Sequence, residues 1–345
     1  MNRTFIALGI CILMMAAMAP ATQCGAIYGV RISDLYNTPL PTGKIRVWGK
    51  VTSVSPLKLT DGRSEITVTG RTASLNDYLV IDGWWNGQFF SVFEPEMIYI
   101  PAGSFLMGNN GDEPYSYPQE LPQHSVYLSA YYIGKYEVTR GEYRAFTNAT
   151  GYTEPWSWAD VQDWYDGCGE CSYVFTQTDN HPVAGVTYYD AVAFCTWAGG
   201  HLPTEAQWER AARWTGTYAN AYPWGNDWNA ENCNNYWDTD PAGGGYGGYQ
   251  TTPVGSYLSG ASPYGCQDMA GNVWEWCKDW YGSNYYSTSP SSDPQGPESG
   301  NYRVTRGGGW DEDPYEGVIV SMRCTSRYTH VPESDWYSMG FRLAR

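Results

Sequence analysis

From about residue 214 to 300 the chain runs through "AYPWGNDWNAENCNNYW", "PAGGGYGGYQ" and "YGSNYYSTSPSSDPQGPESG", almost without helical or strand periodicity. This stretch restricts the fold more than any other. A compact domain does not tolerate so long a loop unless something ties it down, and disulfides and metal ions are the usual ties. The expected architecture is a loop-rich α+β globule that leans on aromatic side chains rather than long amphipathic helices. The 345 residues include 39 Gly, 30 Tyr and 17 Trp, with 42% apolar and only 16% charged residues.

The N-terminus predicts an export signal over residues 1–21. Arg3 supplies a short cationic start, "FIALGICILMMAAMA" an apolar run, and Ala19 and Ala21 a small-x-small cleavage site. The run is too short for a membrane span. The chain is therefore expected to be secreted, periplasmic or at the cell surface, with no membrane span after cleavage. Cleavage leaves Cys24, Cys168, Cys171, Cys195, Cys233, Cys266, Cys277 and Cys324 in an oxidising compartment, where an even count suggests disulfides. Cys266 and Cys277 bracket "QDMAGNVWEW" and are candidates for a local bridge. The formal charge of −16 argues against nucleic acid as a partner, because phosphates need cationic neutralisation.

Residues 26–93 alternate like strands. "KIRVWGKVTSV", "EITVTG", "DYLVIDGWW" and "QFFSVF" are rich in Val, Ile, Thr and aromatics and are separated by "DGR", "SLND" and "WNG" turns. Short strands at this spacing fit a small closed all-β barrel of the OB type. Pro95 then opens a second domain over residues 94–345. Three capping boxes predict helix starts there, at Thr139–Glu142, Thr187–Asp190 and Thr204–Gln207. Gly151 and Gly199-Gly200 are the natural stops of the first two helices.

Taken in order, "IPAGSFLMG", "YEVTRGEYRAF", "HPVAGVTYYDAVAFCTWAGGHLPTEAQWERAAR", "DMAGNVWEWCKDWY", "RVTRGGGW" and "MGFRLAR" resemble the sulfatase-modifying-factor, or formylglycine-generating enzyme, family over about residues 93–345. The resemblance implies a loop-rich variant of the C-type lectin fold. It also implies oxidation of a sulfatase cysteine by oxygen at a copper(I) ion held by two cysteines. Copper(I) is soft and prefers thiolates. In this chain the first copper cysteine falls on Glu312 and the second on or near Gly317, and the serine of the family's Gly-Gly-Ser motif is Gly309. The family's disulfides have each kept one half: the partner positions of Cys195 and Cys324 are Leu343 and Ala212. The resemblance further implies a calcium ion on the side chains of Asp268 and Glu275 and the carbonyls of Gly271 and Val273, a set of hard oxygen donors. A second family calcium site, near Asn234-Asn235, lacks an Asp in register.

With carboxylates where thiolates belong, copper is not expected. The turn "RGGGWDEDPYEGV" carries four acids, Asp311, Glu312, Asp313 and Glu316, and the plain expectation for it is a solvated surface. Two functions compete. One is a non-catalytic binding or structural module whose groove holds Trp310, Glu312, Tyr315 and Glu316, flanked by Trp156, Trp158, Trp237 and Trp336, and takes a protein, peptide or glycan ligand. The other is a formylglycine-generating oxidase with an unusual site.

Overall fold

The computed structural model describes residues 95–111, 116–155, 177–235, 250–312 and 318–345, together with the backbone of six strands between residues 28 and 91. The chain divides into two compact units, residues 1–94 with 145–152, and residues 95–144 with 153–345.

The first unit contains β1 (Tyr28–Gly29), β2 (Ile45–Val54), β3 (Leu57–Thr60), β4 (Glu65–Thr69), β5 (Tyr78–Trp85) and β6 (Phe89–Ser91). β2 is long and changes neighbours along its length. Ile45 to Lys50 pair antiparallel with β5, and Lys50 to Val54 pair with β3, with a register break between Val51 and Ser53. β3 pairs with β4, β4 runs parallel to β6, and β6 returns to β5. The pairings therefore close into a ring, and β1 adds to β2 in parallel. A strand with a break in register lets a short sheet curl back on itself.

The second unit mixes short strands with few helices. β7 (Met97–Ile100) pairs with β10 (Tyr131–Gly134), and β8 (Gly103–Met107) with β9 (His124–Leu128), both antiparallel. Alternation decides their faces: Phe105, Met107, Val126 and Leu128 point inward, while Leu106 and Tyr127 stay exposed. A four-stranded sheet has the order β13 (Tyr328–His330), β12 (Arg303–Arg306), β11 (Trp274–Trp280), β14 (Met339–Gly340), with β14 parallel to β11. Among the described residues the α-helices are α1 (Arg140–Thr150), whose residues from 145 on are grouped with the first unit, α2 (Tyr188–Trp197), α3 (Glu205–Arg213) and α4 (Val318–Ser321).

All three predicted capping boxes form. Thr187 Oγ accepts the Asp190 N–H and Thr204 Oγ accepts the Gln207 N–H, and each N3 side chain returns the bond. At α1 the Glu142 N–H reaches Thr139 Oγ1 at 3.2 Å, and Glu142 Oε2 accepts the Thr139 N–H at 2.8 Å. Helix α3 is buried on nearly every side, with Ala206, Trp208, Ala211 and Ala212 set into the core among Ile100, Val126, Leu128 and Ile133.

Several buried charges in this core are paired. Arg306 binds Glu205 and Glu209, Arg327 binds Glu205, and Arg323 binds Glu120, all out of solvent. Such pairs and asparagine side chains tie the long loops. Asn234 Nδ2 donates to the Gln250 carbonyl and to Asn272 Oδ1, which also accepts the Thr252 N–H. The Val254 N–H reaches the Asn180 carbonyl and the Cys324 N–H the Ala221 carbonyl.

The expected disulfide ties are corrected. Among the described residues no disulfide is formed: Cys195, Cys266 and Cys277 are free and buried, and Cys233 and Cys324 are buried. The proposed Cys266–Cys277 bridge is not formed, because the two thiols sit in different surroundings. Cys266 lies beside Ser262 and Arg342, Cys277 beside Arg306 and Asp279. Each fills core space as a small apolar group. Cys24, Cys168 and Cys171 lie outside the described residues. Among the described residues, no helix is long and apolar enough to cross a membrane.

Candidate functional site

Strand β12 ends in a turn through Gly307 (φ 95°) and Gly308 (φ 77°), a left-handed backbone that glycine adopts without strain. The turn leads to Trp310, whose N–H donates to the Asn272 carbonyl at 2.9 Å. Gly309 has no room for a side chain. A Cβ there would stand 2.6 Å from Asp311 Oδ1, 3.0 Å from Ser338 Cβ and 3.1 Å from Trp274 Cδ1. The Asp311 carboxylate thus fills the space that a serine at 309 would need.

Asp311 and Glu312 are half-buried, so the expectation of a freely solvated turn fails for these two acids. Asp311 Oδ2 accepts from Ser338 Oγ at 3.2 Å. Burial pushes its carboxyl up, against hydrogen bonds from Ser338 and Tyr337. Glu312 Oε1 accepts from the Trp274 indole N–H at 3.0 Å. Burial first, and then the adjacent Asp311 charge, raise Glu312 to about 7, while the bonds from Trp274 and Ser321 pull it down. A carboxyl that titrates near neutrality can hold or release a proton, or accept a strong hydrogen bond from a cationic donor.

Aromatic rings frame this pair in a continuous chain. Tyr328 lies 4.6 Å from Trp274, which lies 6.3 Å from His330. Trp336 is 6.3 Å from both His330 and Tyr337, and Tyr337 is 5.4 Å from Trp310. Trp336 is 58% exposed and forms the outer lip. His330 is held toward its neutral form by burial. Of the groove residues expected from sequence, Trp310, Glu312 and Trp336 come together here. Tyr315, Glu316, Trp156, Trp158 and Trp237 lie outside the described residues. Sequence reasoning missed Trp274, Tyr328, His330, Tyr337 and Ser338 as partners. Of these, Trp274 had a signal, in the "GNVWEW" motif.

Residues 268–275, the expected calcium loop, are bonded to this recess. The Gly271 N–H donates to the Gly307 carbonyl at 2.9 Å, and the Trp274 N–H to the Ser338 carbonyl at 2.7 Å. Asp268 and Asn272 have φ of 55° and 63°. Asp268 Oδ2 accepts the Gly255 N–H at 2.6 Å, and burial raises Asp268 to about 6. Glu275 is fully buried. Its Oε1 accepts from Arg342 Nη2 at 2.5 Å, and its Oε2 from Arg342 Nε at 2.6 Å and Trp208 Nε1 at 2.9 Å.

A third acid, not anticipated from sequence, joins them. Glu137 accepts from the Val273 N–H at 3.1 Å and from Asn272 Nδ2 at 2.6 Å. Burial pushes it up, and the charges of Asp268 and Glu275 push it further. Three carboxylates thus face one guanidinium. Among the described residues, no three His, Cys, Asp or Glu side chains converge as a metal cluster. A cation here would draw part of its donors from carbonyls.

The chain is similar to known proteins. Residues 90–345 match the family model described as a sulfatase-modifying factor enzyme 1-like domain. The formylglycine-generating enzyme of Thermomonospora curvata is 36% identical over 291 residues, spanning 72% of this chain and 92% of that protein. The structure of PvdO from Pseudomonas aeruginosa superposes with a TM-score of 0.58 at 31% identity, covering 73% of this chain and 94% of its own. Treponema denticola variable protein 1 gives a TM-score of 0.54 at 25% identity, covering 72% of this chain and 94% of its own. The chain belongs to the sulfatase-modifying factor, formylglycine-generating enzyme-like family.

Proposed function

We propose that this chain is a secreted ligand-binding member of its family that does not generate formylglycine. One observation carries the reading: Glu312, where the resemblance puts the first copper cysteine, is a carboxyl bonded to the Trp274 indole. The donor set does not fit copper(I), which needs thiolates. The described thiols offer none at the recess. Cys195, Cys266 and Cys277 are buried, and burial raises each thiol above its ordinary range. The recess offers instead two carboxyls within a frame of rings, suited to contact a protein, peptide or glycan ligand.

Finer features belong to the same proposal. The ring of pairings in the first unit supports an OB-like barrel. The few helices and long tied loops of the second support the formylglycine-generating-enzyme variant of the C-type lectin fold. Export rests on the N-terminal signal pattern. Calcium is proposed on the side chains of Asp268 and Glu275 and the carbonyls of Gly271 and Val273, because three buried carboxylates outnumber the one guanidinium beside them. The ion would neutralise the loop and supply no redox chemistry.

The test is incubation of the purified protein with copper, oxygen and a sulfatase-motif cysteine peptide. The peptide mass should stay unchanged and a hydrazide should trap no aldehyde. Aldehyde formation would overturn the reading. A second reading, acid–base catalysis, is favoured by Glu312 at about 7. It requires a recovered ligand to be chemically altered, and the alteration to stop with Glu312→Gln.

A further inference from the structure

Behind Tyr328, apart from the carboxyl pair, lies a cavity of about 310 Å³ lined by Tyr117, Gln119, Tyr281, Arg327, Tyr328 and Thr329. Its size is at the lower end of small-molecule sites, which run about 300–1,000 Å³. It has room for one small ring.

The charges of its lining decide what kind of ring. Among the described lining residues Arg327 is the ionic group, and it is already held by Glu205, a carboxylate it shares with Arg306. Nε and Nη2 hold the two oxygens of Glu205 at 2.7 and 2.8 Å, and Nη1 donates to the carbonyls of Gln119 at 2.9 Å and Gly282 at 3.3 Å. The guanidinium also lies over the ring of Tyr286 at 4.1 Å and that of Tyr281 at 5.1 Å. An anion would have to compete with a buried bidentate carboxylate for this arginine. Among the described lining residues there is no acid to pair with a cation. The natural occupant is uncharged.

The remaining lining is three phenols, an amide and a hydroxyl. Burial raises Tyr281 and Tyr328, the latter to about 12, so both stay protonated hydroxyls that can donate and accept. Flat ring faces pack against C–H surfaces, and the hydroxyl and amide groups around them match a rim of alcohols. The walls are also fixed before any ligand arrives. Tyr328 pairs with Thr305 in the sheet, the Tyr281 N–H donates to the Tyr302 carbonyl at 2.8 Å, and Arg327 clamps the Gln119 backbone. Preorganisation of this kind lowers the entropic cost of binding a small ligand.

We infer that this cavity, formed by Tyr117, Gln119, Tyr281, Tyr328 and Thr329 beside the Glu205-held Arg327, binds a single neutral saccharide ring. The site goes beyond the carboxyl recess, with which it shares Tyr328. The test is saturation-transfer NMR on the full chain with the methyl α-pyranosides of glucose, galactose and mannose. At least one should receive transfer. Tyr117→Ala should weaken its binding about tenfold, the scale of one lost aromatic contact. Tyr117 is 40% exposed, so this variant should keep its melting temperature. Thr329→Val, which keeps the shape and removes the hydroxyl, should weaken binding less. Absence of transfer from all three glycosides would overturn the inference. So would binding that survives Tyr117→Ala but disappears with Glu312→Gln, which would put the ring in the carboxyl recess. Tighter binding of N-acetylneuraminate, an anionic sugar, would overturn the neutral assignment.

Discussion

Glu312→Gln is expected to stabilise the protein, and only at high pH. Folding carries this carboxyl from its ordinary 4.5 to about 7. That difference corresponds to about 3 kcal/mol between the two protonation states, reduced to about 2 kcal/mol because water still reaches a half-buried group. The folded protein holds the proton more tightly than the unfolded chain does. The stabilisation is therefore complete below pH 4.5 and is lost as the pH rises through about 7. A glutamine cannot ionise, and its amide oxygen can still accept the Trp274 N–H. Urea unfolding followed by tryptophan fluorescence at pH 5.5 and 8.5 reads the difference. Between those values the wild type should lose about 1–2 kcal/mol more than the variant. Asp279, buried and raised to about 7, titrates in the same window, so the variant should retain a slope of its own. Equal slopes for the two proteins would mean that Glu312 is ionised and solvated in the fold, and the account of the recess would fail.

Three further outcomes are expected. Arg342→Met leaves Glu275 buried without its partner and should cost about 3–5 kcal/mol, read as a fall in the urea midpoint; a cost below 1 kcal/mol would show that Glu275 does not depend on the pair. Removing calcium with a chelator should lower the melting temperature by several degrees, since a ligand at a hundredfold excess over Kd stabilises by about 2.7 kcal/mol; an unmoved curve together with no calcium by elemental analysis would refute the ion. Cys195, Cys266 and Cys277 should resist a thiol reagent in the native protein and react after unfolding without reductant. Peptide mapping that finds any of the three in a disulfide would refute the free thiols.

Local chemistry was readable in the sequence, and long-range partners were not. The capping boxes at Thr139, Thr187 and Thr204 need only four consecutive residues, so their letters sufficed. Gly151 and Gly199 were readable as stops for the same reason and adopt φ of 71° and 75°. Glu275 was legible as an acid on a Gly-containing loop. Its partner Arg342 is 67 residues away, and nothing local in "MGFRLAR" points back to it. Glu137 enters from 136 residues upstream through the Val273 N–H. The cysteines misled because an even thiol count behind a signal-like N-terminus invites bridges, whereas burial beside Arg342 and Arg306 separates Cys266 from Cys277. The acidic turn misled in the opposite way. Four acids in a row of loop residues suggest water, but Asp311 and Glu312 turn back under Trp310, Trp274 and Tyr337.

The parallel pairing of β14 with β11 is part of a longer closure. The Tyr132 N–H donates to the Arg345 carbonyl, the Gly134 N–H to the Leu343 carbonyl and the His201 N–H to the Ala344 carbonyl. Arg342 Nη1 reaches the Gly134 carbonyl across 208 residues. During synthesis, strand β10 therefore waits for its last neighbour. At about 5–20 residues per second the wait is roughly 10–40 s. Until then the edge of β10 and the acid Glu275 lack the groups that satisfy them. The emerging chain is held open by its own topology until its last residues are made.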